Sequence, residues 1–270
     1  DTAKDGDEIN IPAGEFIINK SIYISKFISF KGAGISQTIL YRSDSISDAL
    51  YDGTSGWDVI LYFKINSNIP SNVTVSDIYF KSKTPSVVSG DGLSLAKDIG
   101  IKMIKCIDFV ITRCRFENFG NSGISVVHDD KIASGLICKN EFYHNAKGFD
   151  GQGYGYGVTV YGVDNEWIVD PKFGSSNFIF IEDNTFDLHR HSIASGGGAL
   201  YVARYNNITN NVIGSTSSTH AIDTHSARGG IIGNGNYFGT RAVEIYNNTI
   251  INTTFKNGTN ISEGQSATLL

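Results

Sequence analysis

Apolar and polar residues alternate in short runs along most of this chain. Runs such as Ser21-Ile22-Tyr23-Ile24 and Phe27-Ile28-Ser29-Phe30 are separated by Gly, Asn and Asp, and helical spacing is almost absent. Period-two alternation over short runs predicts β-strands with one buried face. The pattern therefore predicts an all-β fold with many short strands, which a β-sandwich would also satisfy.

An internal repeat favours a solenoid over a sandwich. Related segments end in Asn-x-Phe or a close variant, at residues 75–80, 111–116, 137–142, 181–186, 208–213 and 245–250. Stacked β-coils place equivalent residues about 4.8 Å apart, so a repeated column indicates coils that lie on one another. We expect a single-domain right-handed parallel β-helix with a column of Phe side chains inside it. The same alignment predicts an asparagine ladder of Asn140, Asn184, Asn211 and Asn248, with Cys114 in the same column.

A second set of strands follows each ladder position, and alternation predicts its orientation. The residues expected to point inward are Ile124, Val158, Ile193 and Ile222. Those expected to point outward are Ser125, Thr159, Ala194 and Asp223, followed by Val127, Tyr161, Gly196 and His225. His191 and His220, at the strand starts, fall on the inward side of this register.

The beginning of the chain carries a family resemblance. The stretch Gly6-Asp7-Glu8-Ile9-Asn10-Ile11-Pro12-Ala13-Gly14 precedes Gly32-Ala33-Gly34, and it resembles the opening of pectate-lyase-like β-helix proteins. Downstream, "GYGVTVYG", "IEDNTF", "AIDTHS" and "RAVEIYNNTI" resemble repeats of β-helix surface proteins from bacteria, archaea and phages. The resemblance implies the fold and leaves the activity open, because this superfamily includes lyases, hydrolases, epimerases, adhesins and structural proteins.

This architecture divides the chain into regions of one domain. We expect an N-terminal coil and cap region at 1–45 and central coils at 46–250. Residues 251–270 would form a C-terminal coil or a connection to further chain or a partner, because an uncapped solenoid end exposes strand edges.

Composition narrows the classes of partner and location. The net charge of −5 argues against a nucleic-acid binder, which usually carries a basic stripe. No run of about 18 apolar residues is present to span a membrane. The three cysteines lack metal-ligand spacing and are expected to be small buried residues. Several glycosylation sequons favour an extracellular or cell-surface protein, at Asn19, Asn72, Asn207, Asn247, Asn252, Asn257 and Asn260.

The densest polar cluster lies between His189 and Arg228 and holds four of the six histidines. These residue types suit β-elimination on a uronate polymer, in which a base removes a proton alpha to a carboxylate that a cation neutralises. We expect the catalytic set to be His191 or His225 as base, Tyr201 as acid and Arg204 as clamp. The expected substrate-binding residues are Arg190, Tyr161, Asp223 and Arg228.

Several alternatives stay open for the same residues. His191 and His220 would hydrogen-bond turn carbonyls, Asp223 would pair with His225, and Arg204 would pair with Glu244. A glycosidase would need two convergent carboxylates, from Glu182-Asp183, Asp129-Asp130 or Asp223 with a coil neighbour. A zinc site would use His191, His220 and His225. No cofactor is expected, with calcium at Asp164, Glu166 and Asp170 as the open alternative.

The sequence thus predicts a protein that binds an extended polysaccharide or surface glycan. Uronate β-elimination is the chemistry that its residues favour, and whether it is an enzyme stays open. Exposed aromatic rings such as Tyr161 and Trp167 stack well on sugar faces, so a non-catalytic adhesin is the first alternative. A structural cell-surface or filament protein, self-associating through the solenoid ends, is the second.

Overall fold

The chain folds as a parallel β-helix, in a computed structural model that describes residues 2–42, 58–65, 69–82, 98–128, 133–145, 155–162, 171–209, 220–224 and 239–251. Each turn of the solenoid adds one strand to each of three sheets, and every described pairing is parallel. The expected solenoid class is confirmed.

The three sheets run side by side along the solenoid. The first contains β1 (Glu8–Asn10), β4 (Ser29–Lys31), β7 (Thr74–Ser76), β10 (Phe109–Thr112), β13 (Gly135–Cys138), β16 (Ile179–Glu182), β19 (Leu200–Arg204) and β22 (Ala242–Tyr246). The second contains β2 (Gly14–Ile18), β5 (Thr38–Arg42), β8 (Tyr79–Lys81), β11 (Arg115–Glu117), β14 (Glu141–Tyr143), β17 (Thr185–Asp187), β20 (Asn207–Thr209) and β23 (Thr249–Ile251). The third contains β3 (Ile22–Ile24), β6 (Asp58–Lys64), β9 (Asp98–Ile104), β12 (Ser122–Val127), β15 (Tyr156–Tyr161), β18 (His191–Gly196) and β21 (His220–Thr224).

The predicted phenylalanine column lies inside the solenoid. The rings of Phe80, Phe116, Phe142 and Phe186 stack nearly parallel, with centroids 5.0, 5.1 and 4.6 Å apart. All four side chains are fully buried. The stack holds successive coils in register, because a slip by one residue would send each ring to the outer face.

The corner between the first and second sheets carries the asparagine ladder. Oδ1 of Asn140, Asn184, Asn206 and Asn248 accepts the backbone N–H of the preceding coil at 2.9–3.1 Å. Each Nδ2 donates to a carbonyl of that coil, as Asn140 does to Ile111 at 2.9 Å. The ladder thereby satisfies buried backbone groups where the sheets end.

One residue of the predicted asparagine ladder was wrong; we call each residue of the ladder a rung. Asn206, and not Asn211, is the ladder residue of its coil, and Ile208 continues the phenylalanine column through its pairing with Phe186. The stretch Asn206-Asn207-Ile208 matches the repeat as well as Asn210-Asn211 does, and pattern alone could not choose between them. The residue before each rung has a positive φ, at Arg113, Lys139, Asp183, Tyr205 and Asn247.

Candidate functional site

The third sheet holds three of the predicted site residues, Tyr161, His191 and Asp223, and its register departs from simple alternation. Gly123 and Gly157 face the phenylalanine stack, because a Cβ on either would come within 2.9 Å of a Phe ring. Ile124 and Val158, which follow them, also lie in the core as predicted. Because two consecutive residues face inward, the alternation is displaced by one position, and the residue before this pair points outward. In successive coils that residue is Ser122, Tyr156, His191 and His220. The expectation that His191 and His220 face inward was therefore wrong.

His191 lies between two aromatic neighbours in this outward column. Its ring is 5.6 Å from that of Tyr156 and 5.3 Å from that of His220, stacked on both. Its side chain is fully buried. Nε2 lies 3.2 Å from Asp223 Oδ2, although the ring N–H does not point straight at that oxygen. The pairing joins two residues predicted for the site, across the adjacent coils β18 and β21.

The backbone fixes the protonation pattern of His191. The N–H of His220 donates to His191 Nδ1 at 2.9 Å, so Nδ1 is an acceptor and the ring proton sits on Nε2, beside Asp223. Nδ1 is thus engaged by the backbone, and Nε2 lies 3.2 Å from Asp223 Oδ2. A general base needs a free lone pair within reach of the substrate, and His191 does not present one in this arrangement.

Arg190 lies next to this stack. Its Nη1 donates to the Tyr156 hydroxyl at 3.1 Å, and its guanidinium carbon is 5.8 Å from the centre of that ring. The predicted substrate-binding residues Arg190 and Asp223 therefore both contact the Tyr156–His191–His220 stack. Together these five residues form a compact polar cluster on the third sheet.

Two of the predicted catalytic residues lie elsewhere. Tyr201, in the first sheet, is fully buried in the main core beside Ser195, and burial raises the pKa of its hydroxyl far above the ordinary value. Arg204 lies at the end of the same strand, with Nε 2.5 Å from Glu182 Oε2 and Nη1 donating to the Tyr246 hydroxyl at 2.9 Å. The ion pair anticipated with Glu244 is made with Glu182. Arg204 therefore lies away from the His191 cluster, whereas Tyr201, although interior, is near enough to Asp223 for that carboxylate to raise its pKa further.

The remaining predicted residues divide in two groups. Tyr161 ends β15 with a partly exposed ring, in the outward column that also holds Val127 and Gly196. His225 and Arg228 lie outside the described residues, as do Asn211, Asp129-Asp130 and the calcium candidates Asp164, Glu166 and Asp170. Within the described ranges, no three acidic, histidine or cysteine side chains come together as a metal site would require.

A second polar surface lies on the outer face of the second sheet, where sequence reasoning placed nothing. The guanidinium of Arg115 lies 5.1 Å from the ring centre of Tyr79 and 4.5 Å from that of Tyr143. Glu117 Oε2 accepts the Tyr79 hydroxyl at 2.6 Å and Arg115 Nη2 at 2.9 Å. Glu141 lies 4.0 Å from Arg115 Nη1. We call these five residues the Arg115 surface.

The Arg115 surface is partly open to solvent. Side-chain exposure is 35% for Arg115 and 37% for Glu141, and the Tyr79 and Tyr143 rings are half-buried. Burial raises the pKa of both tyrosine hydroxyls, and the neighbouring Glu117 and Glu141 add to this, so both rings stay neutral. The signal was present in the sequence: these residues flank the phenylalanine column on either side, and alternation sends both flanks outward.

No protein-family model matches the chain, and no curated protein matches it. In the described part of the chain, no helix is long and apolar enough to cross a membrane.

Proposed function

We propose that this protein is an extracellular β-helix that binds an extended, hydroxyl-rich glycan along the outer face of its second sheet. The observation that carries the proposal is the Arg115 surface, where Tyr79, Arg115 and Tyr143 come from three successive coils. Tyrosine faces stack on sugar rings, and carboxylate and guanidinium groups hydrogen-bond to hydroxyls. The resemblance to pectate-lyase-like surface proteins supports this class of ligand.

The repeat of the solenoid suits a linear ligand. Strands β8, β11 and β14 pair in register, so equivalent side chains recur at about 4.8 Å intervals along the face. A polymer lying along the coils would meet the same kind of contact on each one. The pre-formed contacts also lower the entropy lost on binding, because the Arg115 and Tyr79 side chains are already held by Glu117.

Binding without cleavage fits this geometry better than β-elimination does. Tyr201 is interior, Arg204 is paired with Glu182 on the first sheet, and His191 is fully buried with its Nδ1 accepting the His220 N–H. The lyase chemistry remains a proposal that rests on the His191 cluster together with His225 and Arg228. A structural or self-associating role is the other candidate, since an ionic and aromatic face also suits contact between protein copies.

A glycan array followed by titration with polymer hits tests the proposal. Tyr143→Ala is expected to weaken binding about tenfold, equivalent to roughly 1.4 kcal/mol, through loss of one stacking ring. Arg115→Gln should weaken it too. Arg113→Gln is the matched control, because Arg113 lies two residues away in an exposed pair with Asp77. No binding by the unmodified protein, or equal loss with Arg113→Gln, would contradict the proposal.

Two further measurements separate the alternatives. Ultraviolet absorbance of an unsaturated product on uronate polymers, lost with Asp223→Asn, would establish the lyase. Sedimentation velocity of the unmodified protein and Arg115→Gln would reveal self-association through this surface, and its loss in the variant without any glycan binding would establish the structural role.

A further inference from the structure

The Arg115 surface carries more negative than positive charge. Arg115 is the one cation among its five residues, and Glu117 and Glu141 lie 2.9 and 4.0 Å from its guanidinium nitrogens. Another cation, Lys81, lies at the end of the surface formed by Tyr79, with Nζ 5.9 Å from the centre of that ring. The excess of negative charge is therefore at the opposite end of the surface.

Tyr143 stands at this opposite end, among three carboxylates. In one outward column its strand neighbours are Glu117 in the preceding coil and Asp187 in the following coil. Glu141 lies two residues before Tyr143 and so shares its face. Burial raises the pKa of the Tyr143 hydroxyl, the charges of the three carboxylates raise it further, and only the Arg115 guanidinium opposes them. Three negative charges and one positive charge leave a balance of −2 around this ring, which attracts a cation and repels an anionic polymer.

Toward the C-terminal coils, the same face continues without a cation. The described strands β14, β17, β20 and β23 contain two carboxylates and no Lys or Arg. Thr185, Asn207 and Thr249 follow Glu141 in one outward column of paired residues. Their hydroxyl and amide groups can donate and accept hydrogen bonds with sugar hydroxyls.

The corners beside this face do not reverse its charge. Lys139 and Asp183 are exposed residues of successive coils at one corner, and their formal charges cancel. His144 is exposed at the other corner, directly after Tyr143. With His144 neutral, the negative balance around Tyr143 is unchanged.

The arrangement fits an ammonium group that is attached to a ring. Glu141 and Asp187 are diagonal neighbours on adjacent strands, about 8 Å apart at the backbone, so both carboxylates can approach one cation between them. Glu141 is the more open of the carboxylates that flank Arg115, because its side chain is 37% exposed and its contact of 4.0 Å is longer than a hydrogen bond. Tyrosine rings attract ammonium groups and also stack on sugar faces. Arg115 packs 4.5 Å from the centre of the Tyr143 ring and holds it in place, so its loss would weaken binding even of a cationic ligand.

We propose that the Arg115 surface selects an amino-sugar polymer with free amines, whose ammonium groups lie between Glu141 and Asp187 and whose rings pack on Tyr143. This inference rests on the proposed glycan binding by the second sheet and narrows it to one class of sugar. Acidic polymers are disfavoured at this surface, because their carboxylates would meet its negative charge.

The test is a calorimetric titration of the full chain with glucosamine oligomers and with N-acetylglucosamine oligomers of equal length. N-acetylation removes the positive charge and keeps the sugar ring, so the free-amine oligomer should bind more tightly by about fivefold or more. Glu141→Gln and Asp187→Asn should each bring the two affinities to within about twofold. Glu8→Gln is the matched control that should keep the preference, because Glu8 is an exposed carboxylate on the first sheet. Raising the salt concentration should weaken binding of the free-amine oligomer more than that of its N-acetylated form.

Several results would overturn the proposal. Tighter binding of a galacturonate oligomer would contradict the role of the carboxylates, and equal binding of spermidine would contradict the role of the sugar ring. An unchanged preference in Glu141→Gln, with its circular dichroism spectrum intact, would refute the placement of the ammonium group.

Failure of this inference and failure of the proposed glycan binding give different results. Equal affinity for the two oligomers would refute the selection of amines and leave glycan binding by the second sheet standing. Absence of saturable binding of the glucosamine oligomer would refute this inference alone if the glycan array still identifies a ligand, and both proposals if it does not.

Discussion

The second and third sheets belong to the same coils, and their outer faces differ in solvent contact. On the third sheet, the outward residues Lys102, Ser125, Thr159 and Ala194 are all buried. On the second sheet, the equivalent flanks of the phenylalanine column, such as Arg115 and Thr185, are partly exposed. Alternation along a strand therefore predicts which side chains face the interior and which face outward. It does not predict whether an outward side chain is exposed or buried.

The difference bears on the proposed binding of a long glycan. A polymer needs an accessible row of side chains over several coils, which the second sheet offers from Tyr79 to Asp187. The third sheet instead presents the buried His191 cluster and a satellite apolar cluster around Tyr62 and Ile104. In the part of this polar stretch that the structure describes, the predicted residues are buried or half-buried: His189, Arg190, His191, Tyr201, Arg204, His220 and Asp223.

A buried charge is the strongest test of this contrast. Thr159→Glu, on the third sheet, should lower the free energy of unfolding by about 3 kcal/mol or more, because an unpaired carboxylate would lose its hydration. Thr185→Glu, on the second sheet, should change it by about 0.5 kcal/mol or less. Urea unfolding followed by circular dichroism measures both. Similar losses for the two variants would remove the distinction between the faces.

Two buried histidines predict a specific sensitivity to acid. Burial lowers the pKa of His128 and of His189 from 6.5 to about 4. As the pH falls, the unfolded chain takes up these two protons before the folded chain does. The free energy of unfolding should therefore have its full value above about pH 6.5 and fall as the pH decreases toward 4. Each histidine should contribute a loss of about 3 kcal/mol over this range.

His189→Asn isolates one of these contributions. Asn145 occupies the equivalent corner of the preceding coil and accepts the N–H of Phe119 at 3.0 Å, so an Asn fits at 189. The variant should flatten the decline in urea midpoint between pH 6.5 and 4. His144→Gln is the control, because His144 is exposed. An unchanged pH profile in His189→Asn would show that its burial does not govern acid stability.

The smallest expected effect comes from the asparagine ladder. Cys114 occupies a rung, with its Sγ 3.7 Å from the Val75 carbonyl, where other rungs place a donating amide. Cys114→Asn should extend the ladder by one coil and raise the unfolding free energy by about 1 kcal/mol. Cys106→Asn should destabilise, because Cys106 packs in the apolar core away from the ladder. Equal destabilisation by both would mean that the corner at Cys114 cannot accept an amide.

The sequence by itself determined the solenoid, the phenylalanine stack and most of the ladder. Those features repeat coil after coil, so each copy supports the others. Periodicity also placed Ile124, Val158 and Ile193 in the core. It failed at Asn211, where two similar stretches competed, and at His191, where consecutive inward residues shifted the strand phase.

Only the tertiary structure decided which polar residues meet and which faces are open. Alternation already sends Tyr201 and Arg204, three residues apart on one strand, to opposite faces, but only the structure shows that Arg204 pairs with Glu182. The Arg115 surface joins residues from successive coils that are far apart in sequence. Such contacts depend on the register between coils and on loop lengths. The alternation of polar and apolar residues along a single strand gives no information on either.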